Sequence, residues 1–385
     1  MTQLPNITSA FLNLTNACNL ACRYCFVEQR PTHMSLKTAK EAADFLAGNA
    51  SGGEVPSINF FGGEPMLMWD EVVVPLTRYI REKYGKSFSL SMTSNCTLMD
   101  EERARFMAAN SIGLLFSMDG DRETQDRNRP CRGGASSFDL LEPKLELILR
   151  YFPDVMFRAT VTPDTQDRLF ENMMFAEGHG FRSFFVMPDC FEPWPRTDGL
   201  AREMRKYSDH YIACMEEDRV PIFFTQMEKH FKKILLHNAA VRAETHRAGI
   251  GCRACGKCGL GGGRYAGVNI NGDLTACQEF FSRDDPKFHI GNIYSGARED
   301  LRQALLDEFD GAAICGDGCE ACPLDHICDG GCVANNYMIH RDIHRVPDIY
   351  CFWERLLFRE AVYIMNTLGQ AGCERFRERW GRYVG

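Results

Sequence analysis

This sequence has no basic run, and over 385 residues its formal net charge is −8. Neither a nucleic-acid groove nor an anionic membrane surface is therefore indicated, and the expected partner is a small molecule or a peptide. The N-terminal stretch MTQLPNITSAFLNLT has neither a basic n-region nor a long apolar core. No window of about 18 uninterrupted apolar residues occurs, which excludes an obvious spanning helix. The expectation is a soluble, cytoplasmic protein with no membrane partner. Low-complexity segments and solenoid repeats are also missing. With 45% hydrophobic and 25% charged residues the composition is that of an ordinary globular chain, long enough for one large domain and a smaller one.

What is abundant is cysteine, 18 in all. A disulfide scaffold belongs to short secreted chains, whereas these thiols cluster at metal-ligand spacing in a long chain without a signal peptide. Exposed thiolates climb the oxidation ladder, so a cluster-bearing chain of this kind expects reducing, anaerobic surroundings.

Short apolar or β-branched runs alternate with helical patterns from the start. SAFLNLT (9–15) predicts a strand, and SLKTAKEAADFLAGNA a helix capped by Ser35. The unit recurs in PSINFF with WDEVVVPLTRYIREKYG, SFSLSMTSN with DEERARFMAANS, and GLLFSMDG with SFDLLEPKLELILRYF. VMFRATVTP with RLFENMMFAEGHG, and FRSFFVMP with LAREMRKYSDHYIACMEED, bring the count to six. Such alternation implies an α/β fold with parallel strands and right-handed crossovers. Six units are too few for a closed eight-fold barrel; a partial barrel and a doubly wound open sheet both remain compatible with the periodicity. Either way the strand C-termini form the functional edge. There lie the cysteine loop after strand one, FGGEP after strand two, TSN after strand three, SMDG on strand four and the strand RATVTP.

After about residue 235 the character changes. GIGCRACGKCGLGGGRYAG leads into GVNINGDLTACQEF, which reads as two short strands around an Asn-Gly turn. A Cys-rich segment then runs to Cys351, and FWERLLFREAVYIMNTLG forms a helical tail. The division expected is 1–235, 236–355 and 356–385.

The spacing CxxxCxxC in NACNLACRYCFVEQRP gives three thiolates, Cys18, Cys22 and Cys25, from one loop. That is one fewer than a closed zinc site or a fully ligated 4Fe-4S cluster needs, so a cubane held there keeps one iron open for a small molecule. The plainer alternative is a zinc knuckle with a distant fourth ligand.

With Tyr24 before the third cysteine and a GGEP-type loop after strand two, the sequence resembles the radical S-adenosylmethionine (radical SAM) superfamily. The resemblance implies a partial (β/α)6 TIM-type barrel. It also implies that the open iron chelates the amino and carboxylate groups of S-adenosylmethionine, whose S–C5′ bond one electron cleaves to a 5′-deoxyadenosyl radical. Gly62 and Gly63 would let the backbone approach a ligand, and Glu64 would accept a bond from the methionyl ammonium. Ser94, Asn95, Ser117 and Asp119 match positions that reach the methionyl and ribose groups, and Arg158 suits a carboxylate clamp. Each polar residue alone reads equally as a turn or cap; it is their placement on one sheet edge that favours a ligand.

The later cysteines resemble the SPASM extension of that superfamily, an α+β domain with a β-hairpin and a C-terminal helix. Cys258, Gly272 and Cys277, then Cys319, Cys322, Cys328 and Cys332, then Cys351 fit its pattern, with an eighth ligand at Cys252. By that resemblance Cys252, Cys258, Cys277 and Cys332 hold one auxiliary 4Fe-4S cluster and Cys319, Cys322, Cys328 and Cys351 another, making three clusters. Cys255 and Cys315 are placed to replace a neighbour as ligand. Cys96, Cys131, Cys190, Cys214 and Cys373 read as small hydrophobes.

The reaction so implied is abstraction of a hydrogen atom from a residue of a peptide or protein, then oxidation through the auxiliary clusters, with flavodoxin or ferredoxin as external donor. In sulfatase maturases of the family an Asp base follows the hairpin cysteine. Here Gln278 follows Cys277, and Glu279, the next residue on the strand, points to the opposite face and is a poor stand-in for that base. The first expectation is therefore a thioether or other crosslink in a ribosomally made peptide (RiPP). Oxidation of Cys or Ser to formylglycine is the alternative, and a non-enzymatic zinc or electron-transfer protein the competing class. No leader-binding segment precedes the first cysteine, so leader recognition is expected to use the barrel, the cluster domain or a separate protein.

Overall fold

The computed structural model describes residues 4–242, 263–282, 285–311, 319, 321–324, 328 and 330–380. Its strands are β1 Ser9–Thr15, β2 Ser57–Gly62, β3 Ser89–Ser94, β4 Ile112–Ser117, β5 Met156–Val161, β6 Ser183–Pro188, β7 Phe223–Phe224, β8 Tyr265–Val268, β9 Asp273–Thr275, β10 His289–Asn292 and β11 Gly296–Ala297. A helix follows each of β1 to β6, so the six-fold βα alternation is present. By their internal contacts the residues form two compact units. One comprises Met1–Ser117, Arg129–Val155 and Cys258–Ala312; the other comprises Met118–Asn128, Met156–Lys257 and Ala313–Gly385.

In the first unit the strand order is β11-β10-β9-β8-β1-β2-β3-β4. Strands β8, β1, β2, β3 and β4 run parallel, and β9 to β11 continue the edge antiparallel. The predicted hairpin is thus an extension of the first sheet, with β8 pairing along Ser9–Leu12 of β1. Strand alternation sends Ala10, Leu12, Leu14, Ile58, Phe60, Leu90 and Met92 to one buried face. Burying a side chain such as Leu12 or Phe60 is worth about 1.5–3 kcal/mol. The opposite face carries Ser9, Asn13, Ser57, Asn59, Ser91 and Thr93: Ser9 Oγ bonds to Ser57 Oγ at 2.6 Å, Asn59 Nδ2 donates to Ser91 at 2.8 Å, Thr93 Oγ1 donates to Asn59 Oδ1 at 3.0 Å, and Asn13 Nδ2 donates to Asn16 and Asn269, each at 2.9 Å. A polar inner face of this kind leads up to the loops at the strand C-termini.

Local chemistry explains the helix boundaries. Ser35 accepts from Thr38 N at 3.0 Å and opens Leu36–Asn49; Asp100 accepts from Arg103 N at 2.8 Å and opens Glu101–Ala109. The continuous helix predicted over 137–152 is broken into Phe138–Leu141, a 3-10 turn Glu142–Lys144 and Leu145–Tyr151. Pro143 removes an N–H there and obstructs the preceding turn.

In the second unit β5, β6 and β7 are parallel. Among the described residues β7 pairs with β6 alone and β11 with β10 alone, so no barrel closure is formed by them. The long helix Asp348–Gln370 packs on Asp198–Glu216 and Thr225–Arg242. Its fully buried Glu360 accepts from Arg205 at 2.8 and 3.1 Å and from Ser208 Oγ at 3.0 Å, which compensates the charge taken out of water. Phe231 meets Phe376 and Trp380 edge-on, docking the last helix, Glu374–Trp380. None of the described helices is long and apolar enough to cross a membrane.

Candidate functional site

The cysteine loop leaves the end of β1 and is braced by a segment more than a hundred residues away. Ala21 N donates to Pro130 O at 2.8 Å, Arg132 N to Asn19 O at 3.1 Å, and Leu20 bridges Cys131. Arg132 Nε adds a bond to Cys18 O at 2.8 Å. Phe26 stacks on Phe61 of β2, 6.3 Å between centroids, and Glu28 N donates to Ser282 Oγ at 2.9 Å. The buried Arg129 guanidinium lies over the Tyr24 ring at 5.3 Å. Sequence reading missed the whole 129–132 segment, since no spacing signal links it to the cysteines. It also read Cys131 only as a small hydrophobe.

Burial pushes the Cys18 thiol up to about 12; the charges of Glu64, Cys22 and Cys25 push the same way, while the Leu20 N–H opposes. The Cys25 thiol is also pushed up, first by the protein packed around it, although the residue keeps exposed surface. Arg129 opposes that shift and Glu279 adds to it. Three thiols within reach of one another's charge do not ionise together unless a cation takes them, and that is the donor set of a metal or iron-sulfur site. Among the described residues no three such side chains are already closed around a metal-sized space; the loop brings the thiols together on its backbone.

The loop after β2 is welded to this one. Gly63 N donates to Thr15 O at 2.6 Å and Glu64 N to Ala17 O at 2.9 Å. A Cβ on Gly62, whose φ is +136°, would meet Thr15 O at 2.3 Å, and one on Gly63 would meet Ala17 O at 2.2 Å. The close approach that needs glycine is therefore to the cysteine loop's own backbone. Glu64 is buried, and its carboxylate accepts from Met66 N at 3.0 Å, Ser94 Oγ at 2.8 Å and Asn95 N at 2.9 Å. Burial raises it to about 7 against the pull of those three bonds. A carboxylate has about four acceptor sites, so one is left, on Oε2. Ser94 spends its proton on Glu64 and accepts from Cys96 N at 2.9 Å. Ser117 ends β4, buried.

In the second unit Asp119 is buried, accepting from Thr160 N at 2.9 Å and Asn128 Nδ2 at 3.0 Å, which ties its loop to β5. Arg158 on β5 is exposed and lies over the Phe185 ring at 5.7 Å. Of the later cysteines, Cys252, Cys255, Cys258 and Cys315 lie outside the described residues. Cys319, Cys322 and Cys351 come together: Cys322 N donates to Cys319 O at 3.0 Å, and burial pushes the Cys351 thiol up, reinforced by Cys319 and Cys322 and opposed by Arg355. Gly330 N donates to Cys328 Sγ at 3.3 Å, and Cys332 precedes the helix Val333–His340.

The hairpin corrects one expectation. Gln278–Phe280 is a 3-10 turn capped at Cys277, not a strand, so alternation does not separate Gln278 from Glu279. Gln278 Nε2 donates to Glu279 Oε1 at 3.3 Å, and the Glu279 charge is felt at the Cys25 thiol.

Residues 12–176, which span the cysteine loop, the GGEP loop and β1 to β5, match the family description Radical SAM superfamily. That segment is similar to a radical SAM domain. The cysteine-type anaerobic sulfatase-maturating enzyme of Clostridium perfringens is 24% identical over 351 residues, which cover 86% of this chain and 89% of that enzyme. Mycofactocin maturase MftC of Mycolicibacterium smegmatis is 27% identical over 343 residues, covering 84% and 77%. Among solved structures, native anSMEcpe with bound AdoMet and Cp18Cys peptide superposes with a TM-score of 0.72 at 18% identity, covering 94% of this chain and 99% of that one. Streptococcus suis SuiB bound to precursor peptide SuiA gives 0.58 at 17% identity, covering 90% and 76%. At these identities the structural matches establish the fold, an unclosed α/β array with a Cys-rich C-terminal region. A radical SAM domain implies a 4Fe-4S cluster and S-adenosylmethionine, and the Cys18, Cys22 and Cys25 donor set fits such a cluster.

Proposed function

We propose that this radical SAM enzyme oxidises a side chain of a peptide or protein, with Cys18, Cys22 and Cys25 holding the cluster that binds S-adenosylmethionine. When bound, that pair supplies a 5′-deoxyadenosyl radical able to take a hydrogen atom from carbon. The observation that carries the reading is the weld between the three-thiol loop and the GGEP loop, Gly63 N to Thr15 O and Glu64 N to Ala17 O. It sets the free acceptor site of Glu64 beside the thiols, where the methionyl ammonium would bind. Tyr24, Gly62, Gly63, Ser94, Ser117 and Asp119 shape the rest of that site, and Arg158 takes the carboxylate. The Cys-rich region, 236–355 in our division, carries two auxiliary clusters on Cys252, Cys258, Cys277 and Cys332 and on Cys319, Cys322, Cys328 and Cys351, with a flavodoxin or ferredoxin as donor.

A crosslink in a ribosomally made peptide is the product we favour, because Gln278 cannot take a proton where relatives use a base. Formylglycine formation is the second reading, favoured by the nearby Glu279 carboxylate and by similarity to sulfatase-maturating enzymes along most of the chain. Anaerobically reconstituted protein should be brown and hold about twelve irons. Incubated with S-adenosylmethionine and dithionite, it should release 5′-deoxyadenosine; a colourless, zinc-loaded protein sinks the proposal. An aldehyde trapped by a hydrazide on the Cp18Cys peptide would select formylglycine. Loss of two hydrogens from a peptide encoded beside the gene, with no aldehyde, would select the crosslink. Cys328→Ala should still cleave S-adenosylmethionine but lose product by about tenfold or more; unchanged product formation would show that cluster to be dispensable.

Glu64 also sets a pH dependence. The ammonium needs the ionised carboxylate, and Glu64 ionises around pH 7 because burial raises it. Affinity for S-adenosylmethionine should therefore rise with pH up to about 7, losing roughly tenfold for each unit below. Glu64→Gln should bind weakly and show no such slope in equilibrium dialysis.

A further inference from the structure

The sequence placed Asn95 among the residues that reach S-adenosylmethionine, but its hydrogen bonds leave it nothing to offer a ligand. Asn95 is buried. Its Oδ1 accepts from Thr97 N at 3.0 Å and from Thr97 Oγ1 at 2.7 Å. Its Nδ2 donates to Asn19 Oδ1 at 3.0 Å, and Asn19 Nδ2 donates to Thr97 Oγ1 at 2.6 Å. Asn95, Asn19 and Thr97 thus close a ring of side-chain bonds. Because a backbone N–H can only donate, the Thr97 contact settles which end of the Asn95 amide is oxygen, and the ring then settles Asn19 as well. The second Nδ2 proton is left facing Cys18 Sγ, 3.8 Å away. With both protons and both lone pairs used, the amide is saturated. Its backbone N–H is spent on Glu64 Oε2 at 2.9 Å.

We propose that Asn95 is a positioning residue for the cluster: its N–H···S bond to the Cys18 ligand raises the cluster's reduction potential, while its backbone orients Glu64. The inference rests on the reading of Cys18 as a cluster ligand. A donor aimed at a ligand sulfur stabilises the more negative, reduced state, so it makes the electron easier to load. Leu20 N, at 3.4 Å from the same sulfur, is a second such donor supplied by the backbone. Thr97 N on Oδ1 and Asn19 Oδ1 on Nδ2 fix the amide at both ends and keep its remaining proton turned to the sulfur.

The test is an EPR-monitored redox titration of the holoenzyme, following the signal that S-adenosylmethionine perturbs. Asn95→Leu removes the N–H donor. Asn95→Asp also removes it but keeps the acceptor that holds Thr97, so it serves if the leucine variant loads poorly. In both, reduction should become about tenfold less favourable, a shift of about −59 mV for one electron, with affinity for S-adenosylmethionine unchanged. Thr97→Val keeps the Thr97 N bond and hence the N–H···S contact, and should leave the potential near the wild-type value. An unmoved potential together with weakened S-adenosylmethionine binding in the Asn95 variants would overturn the proposal and return Asn95 to the ligand shell. A wild-type protein in which no iron-sulfur signal responds to S-adenosylmethionine would overturn both this inference and the reading beneath it.

Discussion

Alanine at Cys18, Cys22 or Cys25 is expected to reduce formation of 5′-deoxyadenosine from S-adenosylmethionine and dithionite to the uncatalysed background, while the fold survives. The survival follows from how the loop is held. Its backbone is bonded to Pro130, Asn19 is bonded to Arg132, and Thr15 and Ala17 accept from Gly63 and Glu64, none of which involves a thiol. Cys25 is exposed and Cys22 half-buried, so truncation there leaves no large cavity. Cys18 is the more enclosed, and Cys18→Ala also frees the Leu20 and Asn95 donors that point at its sulfur, a loss of about 1–3 kcal/mol if water does not replace them. Each variant should keep the wild-type far-ultraviolet circular dichroism and lose the iron of the loop cluster. Cleavage retained by all three would refute the assignment of this loop.

Much of this was legible because it is local. β1 coincides with SAFLNLT, and Ser35 and Asp100 cap the helices that they precede, since a capping oxygen and an apolar period need only neighbouring residues. The cysteine spacing and GGEP were legible for the same reason. What escaped were pairings across long separations. Nothing in the pattern around Cys131 says that it faces Leu20, and nothing in YAGV says that β8 lies parallel beside β1. β7 and β11, of two residues each, are too short to carry a period. Glu279 was misjudged because a strand was assumed where the chain turns after Cys277. Asn95 lies at the sheet edge where the sequence put it, and only its bond partners show what its amide is engaged with.

Gly63→Ala should be nearly as damaging as losing a cysteine, and by a different route. The added methyl would sit 2.2 Å from Ala17 O and 2.6 Å from Ala17 C, both backbone atoms one residue before Cys18. No rotamer relieves a clash with backbone, so the two loops must separate. Separation breaks Gly63 N to Thr15 O and Glu64 N to Ala17 O, moving Cys18 relative to Glu64 and to the Asn95 amide together. Overpacking of this kind typically costs about 1–3 kcal/mol, and the variant should unfold at a correspondingly lower denaturant midpoint. The larger effect is on the site. S-adenosylmethionine cleavage should fall by about a hundredfold or more, since an ångström of misplacement at a reacting centre costs on that order. Gly48→Ala is the matched control: it lies inside the helix Leu36–Asn49, a Cβ there meets nothing within 4 Å, and alanine should stabilise the helix by about 0.8–1 kcal/mol. If Gly63→Ala loaded its loop cluster and cleaved S-adenosylmethionine as well as Gly48→Ala does, the weld between the two loops would be incidental. The registration of Glu64 against the thiols would then have to come from its bonds to Met66, Ser94 and Asn95.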